Sequence, residues 1–168
     1  MYDNFEELLK VTRERKIPIW KAVLEEESQL SESGESEMIM EFQRRFAIME
    51  TSVKKALERP QPTVANLISG FSAQQWEYAN SGETISGGLI NRVMAYALSG
   101  IEVNASMGRI CAAPTAGSCG ILPAVLVGMR DEYRLDSDTV IHGLITAAGI
   151  GSVITQNATV AGAEGGCQ

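Results

Sequence analysis

Charge and glycine are distributed so unevenly along this chain that they divide it into two stretches. Residues 1–60 carry 23 of the 35 charged side chains, whereas 15 of the 16 glycines lie after residue 60. Charged side chains mixed with apolar ones are typical of amphipathic helices with one face in water. Glycines let the chain turn and let backbones approach closely. We therefore expect charged amphipathic helices over 1–60, and helices packed closely through glycine-rich loops over 61–168.

The spacing of apolar side chains predicts helices and not strands. Between Ser36 and Leu57, apolar residues recur at steps of three and four, which places them on one face of a helix. We interpret this stripe as core packing; it comprises Met38, Phe42, Phe46, Met49, Val53 and Leu57. No stretch alternates strongly with a period of two, and no internal repeat is present. The sequence thus predicts an all-α fold, a bundle of packed helices with glycine-rich connecting loops, forming a single helical domain over 1–168.

Capping residues and breakers predict where the helices begin and end. Asp3 and Glu6 have the spacing of a capping box, which opens a helix that ends near Lys16, before Pro18. Ser72 and Gln75 have the spacing that caps a short helix to about Asn80. The other predicted helices are approximately 19–28, 36–57, 85–98, 120–133, 139–148 and a last one to 155, with a turn region after Leu98 through Gly108 and a loop over 110–118.

Composition argues against several classes of protein. The net charge is −7 and the basic residues are scattered, which disfavours nucleic acid and anionic membranes as partners. Two uncharged runs, 110–129 and 139–163, contain proline, glycine or polar residues and are interpreted as buried segments, not membrane spans. We expect no secretory signal at the N-terminus. Three cysteines without such a signal indicate a reducing cytoplasm and no disulfide framework.

A loop of small residues, Ala113 to Gly120, leads into an apolar helix. Small side chains leave backbone N–H groups accessible, and the start of a helix favours a negative charge. A small carboxylate or phosphate is the natural ligand, and the candidate binding residues are Pro114, Thr115, Ala116, Gly117 and Ser118. The loop lacks the Gly-Lys-Ser/Thr of a nucleotide-binding P-loop. A tight junction between helices that binds nothing explains the same residues equally well.

Lysine, histidine and cysteine positions limit the chemistry further. All five lysines lie within residues 1–55, so the glycine-rich part has none to form a Schiff base with pyridoxal phosphate. His142 is the single histidine and lies in an apolar helical run, where we expect a structural role. Cys111 and Cys119 lack metal-ligand spacing, and with one histidine the chain cannot build an ordinary zinc site. Cys167 follows two glycines that leave room for a bulky group.

Three stretches, in this order and spacing, resemble one known family. They are Glu102–Gly108, Ile110–Ala124 and Asn157–Gln168, and the N-terminal helices and Ser81–Gly87 look similar as well. The chain thus resembles, over essentially its whole length, the alpha chain of iron–sulfur-dependent L-serine dehydratases. It departs from that family near Phe71-Ser72-Ala73, where members commonly have a Gly-Gly-Asp-Ala turn. That departure leaves the role of Ser69-Gly70-Phe71 open.

The resemblance implies a helical subunit that holds a [4Fe–4S] cluster by cysteines. Cys167 would be one ligand, and the others would lie in Cys-Asp-Pro and Pro-Cys segments beyond Gln168, so the chain reads as the N-terminal part of the alpha subunit. The Pro-Thr-Ala-Gly loop would sit at the substrate site, and Cys111 and Cys119 would be buried thiols that do not bind the cluster. A beta subunit or domain, an oligomer, a cytoplasmic location and no pyridoxal phosphate are also implied.

The implied reaction is conversion of L-serine to pyruvate and ammonia, within amino-acid degradation and gluconeogenesis. No residue is a convincing general base; Glu164 lies near the cluster cysteine but reads equally as a charged group on a turn. With one ligand, the chain alone is expected to hold no intact cluster and to be inactive. Two alternatives stay open: a related cluster-dependent lyase such as a cysteine desulfidase, and a non-enzymatic helical interaction module.

Overall fold

The computed structural model describes residues 2–64, 66–158 and 161, and these residues form helices without any strand. This confirms the all-α prediction. The helices are α1 (Phe5–Arg15), α2 (Ile19–Leu30), α3 (Glu35–Glu58), α4 (Phe71–Ala79), α5 (Gly88–Ala105), α6 (Ile121–Tyr133) and α7 (Ser137–Asn157), with a short 3-10 helix at Ala116–Ser118.

The chain packs as two compact units. The first consists of the described parts of Met1–Gln43 and Ser137–Gln168, and the second is Arg44–Asp136. The units therefore divide within α3 and before α7, and not at residue 60, where the composition changes. A single domain over 1–168 stays a prediction.

In the first unit, α1 begins one residue later than the predicted capping box. The N-cap is Asn4, whose side-chain oxygen accepts a hydrogen bond from the backbone N–H of Glu7 at 2.9 Å. The Glu7 carboxylate in turn accepts from the backbone N–H of Asp3 at 3.0 Å. An asparagine oxygen satisfies a free N–H of the first turn as well as aspartate does, which moves the predicted pair from Asp3 and Glu6 to Asn4 and Glu7.

α2 and α7 pack face to face in the same unit. The rings of Trp20 and His142 are stacked, with centroids 3.7 Å apart and planes 6° from parallel. This agrees with a structural role for His142. A β-carbon on Gly149 would collide with the side chain of Val23. The glycine therefore lets two helices approach and does not break α7, so the prediction of two separate helices after residue 139 was wrong.

α7 is long and apolar enough to cross a membrane, judged by length and composition alone. Buried side chains along it, including Val140, Ile141, Leu144 and Ile145, are each at most 4% exposed. A helix packed into the core of a water-soluble protein passes the same test of length and hydropathy. About a third of the apolar stretch of α7 is buried within the described residues.

α3 confirms the predicted apolar stripe. Phe42, Phe46, Met49 and Val53 are all buried, and Val53 is fully so, whereas Met38 and Leu57 at the two ends are half-buried. Burial at steps of three and four is what a helix with one core-facing side produces.

In the second unit, α5 continues seven residues past its predicted end. The sequence after Leu98 reads as a turn because Ser99 and Gly100 are poor helix formers. In the structure Ser99 has hydrogen-bond partners on α3. The Ser99 hydroxyl donates to the carbonyl of Ser52 at 3.1 Å and accepts from the N–H of Ala56 at 3.0 Å, which ties α5 to α3. Tertiary partners thus override local preference.

Candidate functional site

The loop between α5 and α6 is built around a single turn of 3-10 helix. The peptide bond from Ala113 to Pro114 is cis, and the N–H of Ala113 donates to the carbonyl of Thr115 at 3.3 Å. Thr115 is the N-cap of the 3-10 turn, and Ser118 closes it as its third residue. All five predicted binding residues therefore lie in one turn. Pro114, Ala116 and Gly117 are exposed, and Thr115 and Ser118 are half-buried.

The two hydroxyls of the loop are engaged with the loop itself. Ser118 Oγ donates to the carbonyl of Ala113 at 2.9 Å and accepts from the N–H of Thr115 at 3.3 Å. The Thr115 side chain accepts from the backbone N–H of Ser118, which completes a reciprocal capping box, and Thr115 Oγ1 lies 3.0 Å from Ser118 Oγ. A serine hydroxyl has one proton to donate. Ser118 therefore stabilises the turn, and its hydroxyl proton is used in a hydrogen bond within the loop and not for a ligand.

Two side-chain groups anchor this turn to α5. Asn104 Nδ2 donates to the carbonyl of Ala116 at 2.9 Å. The Cys119 thiol lies 3.8 Å from the carbonyl of Gly100, in the geometry of a weak sulfur hydrogen bond. Contacts with a packed helix hold the loop in one place, which a binding turn requires.

Two exposed residues of the turn have backbone N–H groups without an acceptor inside the turn. Ala116 and Gly117 open the 3-10 turn, where no preceding turn supplies carbonyl acceptors for their N–H groups. A β-carbon on Gly117 would meet nothing closer than Thr115 Oγ1 at 3.8 Å, so the space around it is open. The arrangement suits a small anion that approaches from solvent.

Gly120 has a different role from the one that the sequence suggested. A β-carbon there would lie 2.5 Å from the carbonyl oxygen of Ala97. Gly120 is buried, so its N–H is not exposed to solvent as an open anion site requires. Its size is required by the packing of α6 on α5, so within this loop Gly117 is the glycine that faces open space.

Sequence reasoning missed a buried carboxylate on α5. Glu102 is 1% exposed, and its two oxygens accept from the N–H of Gln61 at 2.7 Å and from the hydroxyl of Ser72 at 3.0 Å. The N-cap of α4 is Gly70, which has a left-handed conformation (φ 87°). Ser72 lies inside the helix and does not cap it, so the predicted cap was wrong. The sequence does contain a signal for this burial, because helical spacing places Glu102 on the same face of α5 as the buried Ala95 and Ser99.

The described cysteines do not form a metal site. Cys119 is buried, and burial raises the pKa of its thiol, which disfavours the thiolate that binds iron. Cys111 is half-buried. Among the described residues, no group of three or more His, Cys, Asp or Glu side chains could hold a metal ion. Cys167 and Glu164 lie outside the described residues.

Comparison with known proteins identifies the same family that the sequence motifs resemble. Residues 14–168 match the sequence model of the family described as serine dehydratase alpha chain. The whole chain is 46% identical to an L-serine dehydratase alpha chain of Peptoniphilus asaccharolyticus, of which it covers 58%, and 34% identical to a probable L-serine dehydratase alpha chain of Bacillus subtilis, of which it covers 56%. It is 31% identical to an L-serine dehydratase of Streptomyces coelicolor, over 97% of this chain and 36% of that protein.

The chain spans a little more than half the length of the first two relatives. No solved structure matches it significantly. The family match covers all but the first 13 residues and includes the loop, α5 and α6. This chain belongs to the serine dehydratase alpha chain family.

Proposed function

We propose that this chain acts within an L-serine ammonia-lyase, which converts L-serine to pyruvate and ammonia. The observation that carries the proposal is the 3-10 turn at Ala116–Ser118, an anchored and solvent-facing turn of backbone donors inside a family whose relatives are named for serine dehydration. The anionic group of L-serine is its carboxylate, which such a turn is suited to bind.

The loop Pro114–Ser118 would hold the substrate carboxylate. The N–H groups of Ala116 and Gly117 are the donors, because both residues are exposed and Gly117 faces open space. Thr115 and Ser118 keep the turn in shape through their mutual hydrogen bonds. Asn104 fixes the turn to α5 through the carbonyl of Ala116. Held in this way, the α-carbon of the substrate keeps one position relative to the enzyme.

The proposed cofactor is a [4Fe–4S] cluster, with Cys167 as one ligand and further cysteines from outside this chain. Such a cluster with one iron free of cysteine supplies a Lewis acid for the hydroxyl leaving group. The described residues offer no ligand set for it, so we assign them binding of the substrate and support of the loop only. The five lysines lie in α1, α2 and α3 or directly after α1, away from the loop in sequence, which favours this cofactor over pyridoxal phosphate.

The proposal extends to the protein's setting. An alpha chain by name has a partner, and we propose a beta subunit or domain that completes the enzyme, in an oligomer in the cytoplasm. With one proposed ligand, the 168-residue chain alone would be inactive. The acidic net charge of −7 supports small-molecule chemistry and not binding to nucleic acid or an anionic membrane.

The loop assignment can be tested with three variants in the complete, cluster-loaded enzyme. Gly117→Ala places a methyl group in the open space above the donors, without backbone strain, since φ of Gly117 is not in the left-handed region. Thr115→Val removes the capping hydroxyl, and Thr115→Ser keeps it. We expect both Gly117→Ala and Thr115→Val to lower kcat/KM for L-serine roughly ten- to a hundredfold, equivalent to about 1.5–3 kcal/mol.

Thr115→Ser is the matched control and should stay within about threefold of the wild type. The cluster absorbance should be unchanged in all three variants, because the loop provides no ligand. Wild-type efficiency in Gly117→Ala and Thr115→Val would show that the loop is only a turn between packed helices.

A further inference from the structure

We infer that a second site in the same unit, an open cleft between α3 and the segment after α5, binds a small organic carboxylate. Five residues line a cavity of about 450 Å³: Arg44, Ala47, Ile48, Thr51 and Arg109. Cavities of this size accommodate small organic molecules. None of the residues Pro114 to Ser118 lines it, so it is distinct from the loop that we assign to the substrate.

Four of the residues that line the cleft lie on one face of α3. Arg44, Ala47, Ile48 and Thr51 are spaced by three, one and three residues and thus share one face of the helix. Arg109 comes from the segment that follows the turn after α5. Arg44 and Arg109 therefore both border the cleft, and none of its described lining residues is acidic.

Arg109 differs from the arginines that stabilise the fold. Arg15, Arg92 and Arg130 each form an ion pair with a carboxylate. Arg109 is exposed, and its side chain forms no hydrogen bond or ion pair with another described residue. In a chain with 21 acidic and 14 basic residues, an arginine that has no carboxylate partner among the described residues is suited to binding an external anion.

The other lining residues point to the class of the anion. The Thr51 hydroxyl donates to the carbonyl of Ala47 at 2.8 Å, so the polar donor that we assign to a ligand is the Arg109 guanidinium. Ala47 and Ile48 add apolar surface. A carboxylate matches the guanidinium fork, and a short hydrocarbon body matches the apolar wall. Inorganic phosphate has no part that would use this wall.

The test uses the 168-residue chain labelled with ¹⁵N. The Nε–H signal of Arg109, assigned from its loss in Arg109→Gln, is followed by NMR while pyruvate, succinate or inorganic phosphate is added, and Kd is measured by calorimetry. We expect pyruvate or succinate to shift that signal and to bind more tightly than phosphate. Arg109→Gln should weaken carboxylate binding at least tenfold, and Arg109→Lys, which keeps the charge without the fork, should weaken it less.

Arg134→Gln is the matched control, since Arg134 is an exposed arginine of the same unit that does not line the cleft. It should bind as the wild type does. Helicity measured by circular dichroism should be equal in all variants. The inference is overturned if neither carboxylate shifts the Arg109 signal, if phosphate binds more tightly than both, or if Arg134→Gln loses affinity as Arg109→Gln does.

Discussion

Gly100 and Gly120 face each other where α5 meets the start of α6. A β-carbon on Gly100 would lie 3.0 Å from the α-carbon of Gly120, which is tighter than nine in ten β-carbon contacts in folded proteins. Both residues are buried. The contact fixes the distance between the two helices and also the position at which the candidate loop enters α6.

The two glycines of the loop should therefore respond differently to alanine. In Gly120→Ala the new methyl group meets the carbonyl oxygen of Ala97 at 2.5 Å, and a backbone atom cannot move aside cheaply. We expect a loss of unfolding free energy of about 1–3 kcal/mol. Gly117→Ala, the control, should stay within about 0.5 kcal/mol of the wild type. Urea unfolding of the 168-residue chain measures both, and equal losses would contradict this account of the contact.

The buried carboxylate of Glu102 should be important for stability. Glu102→Ala leaves the N–H of Gln61 and the hydroxyl of Ser72 without their acceptor, in a place that water does not reach. We expect a cost of about 3 kcal/mol or more in unfolding free energy, and a smaller cost of about 1–3 kcal/mol for Ser72→Ala, which removes one of the two bonds. A Glu102→Ala variant as stable as the wild type would mean that this network contributes nothing.

Glu50 should make stability depend on pH under acidic conditions. Hydrogen bonds from Arg130 at 2.6 Å and Lys54 at 2.8 Å lower the pKa of Glu50 from 4.5 to about 2. A pKa that is lower in the folded state contributes stability above pH 4.5, and this contribution is lost as pH falls from 4.5 towards 2.

Glu50→Gln should therefore be less stable than the wild type at pH 7, by roughly 1–2 kcal/mol after allowance for partial exposure. The difference should shrink as pH falls through that range, because the wild-type carboxylate becomes protonated. Urea unfolding at several pH values follows this. Glu37→Gln, an exposed position on the same helix, is the control and should show no such trend. A difference that stays constant down to pH 2 would refute the assignment.

The cysteines should divide into one cluster ligand and two structural thiols. In the complete enzyme, Cys167→Ser should abolish bound iron and sulfide, measured chemically and by absorbance. Cys111→Ala and Cys119→Ala should keep both, because the Cys119 thiol is buried against the carbonyl of Gly100 and its raised pKa disfavours the thiolate. Loss of iron in Cys111→Ala would show that the ligands have been assigned wrongly.

Helical periodicity was enough to predict the all-α fold and the buried stripe of α3. Those predictions rest on side chains whose burial follows from spacing alone, such as Phe42 and Val53. Helix ends were harder, because they depend on partners distant in sequence. Ser99 looks like a helix breaker until Ser52 and Ala56 of α3 are placed beside it.

Glycine misled the sequence analysis for a related reason. Gly149 and Gly120 read as turn residues, but each is required where one helix packs against a neighbour. A sequence does not show whether a glycine serves a turn or a close contact, since both need a missing β-carbon. The loop itself was located correctly. That Ser118 is engaged within it became visible only from the distances to Ala113 and Thr115.

The most direct measurement is turnover by the complete enzyme, prepared and assayed without oxygen. Purified alpha chain, with its beta subunit or domain, is incubated with L-serine and separately with L-cysteine, and pyruvate, ammonia and sulfide are quantified. The account predicts equal amounts of pyruvate and ammonia from L-serine, at a higher kcat/KM than from L-cysteine. A preference for L-cysteine, with release of sulfide, or no pyruvate from L-serine in a cluster-loaded preparation, would contradict it.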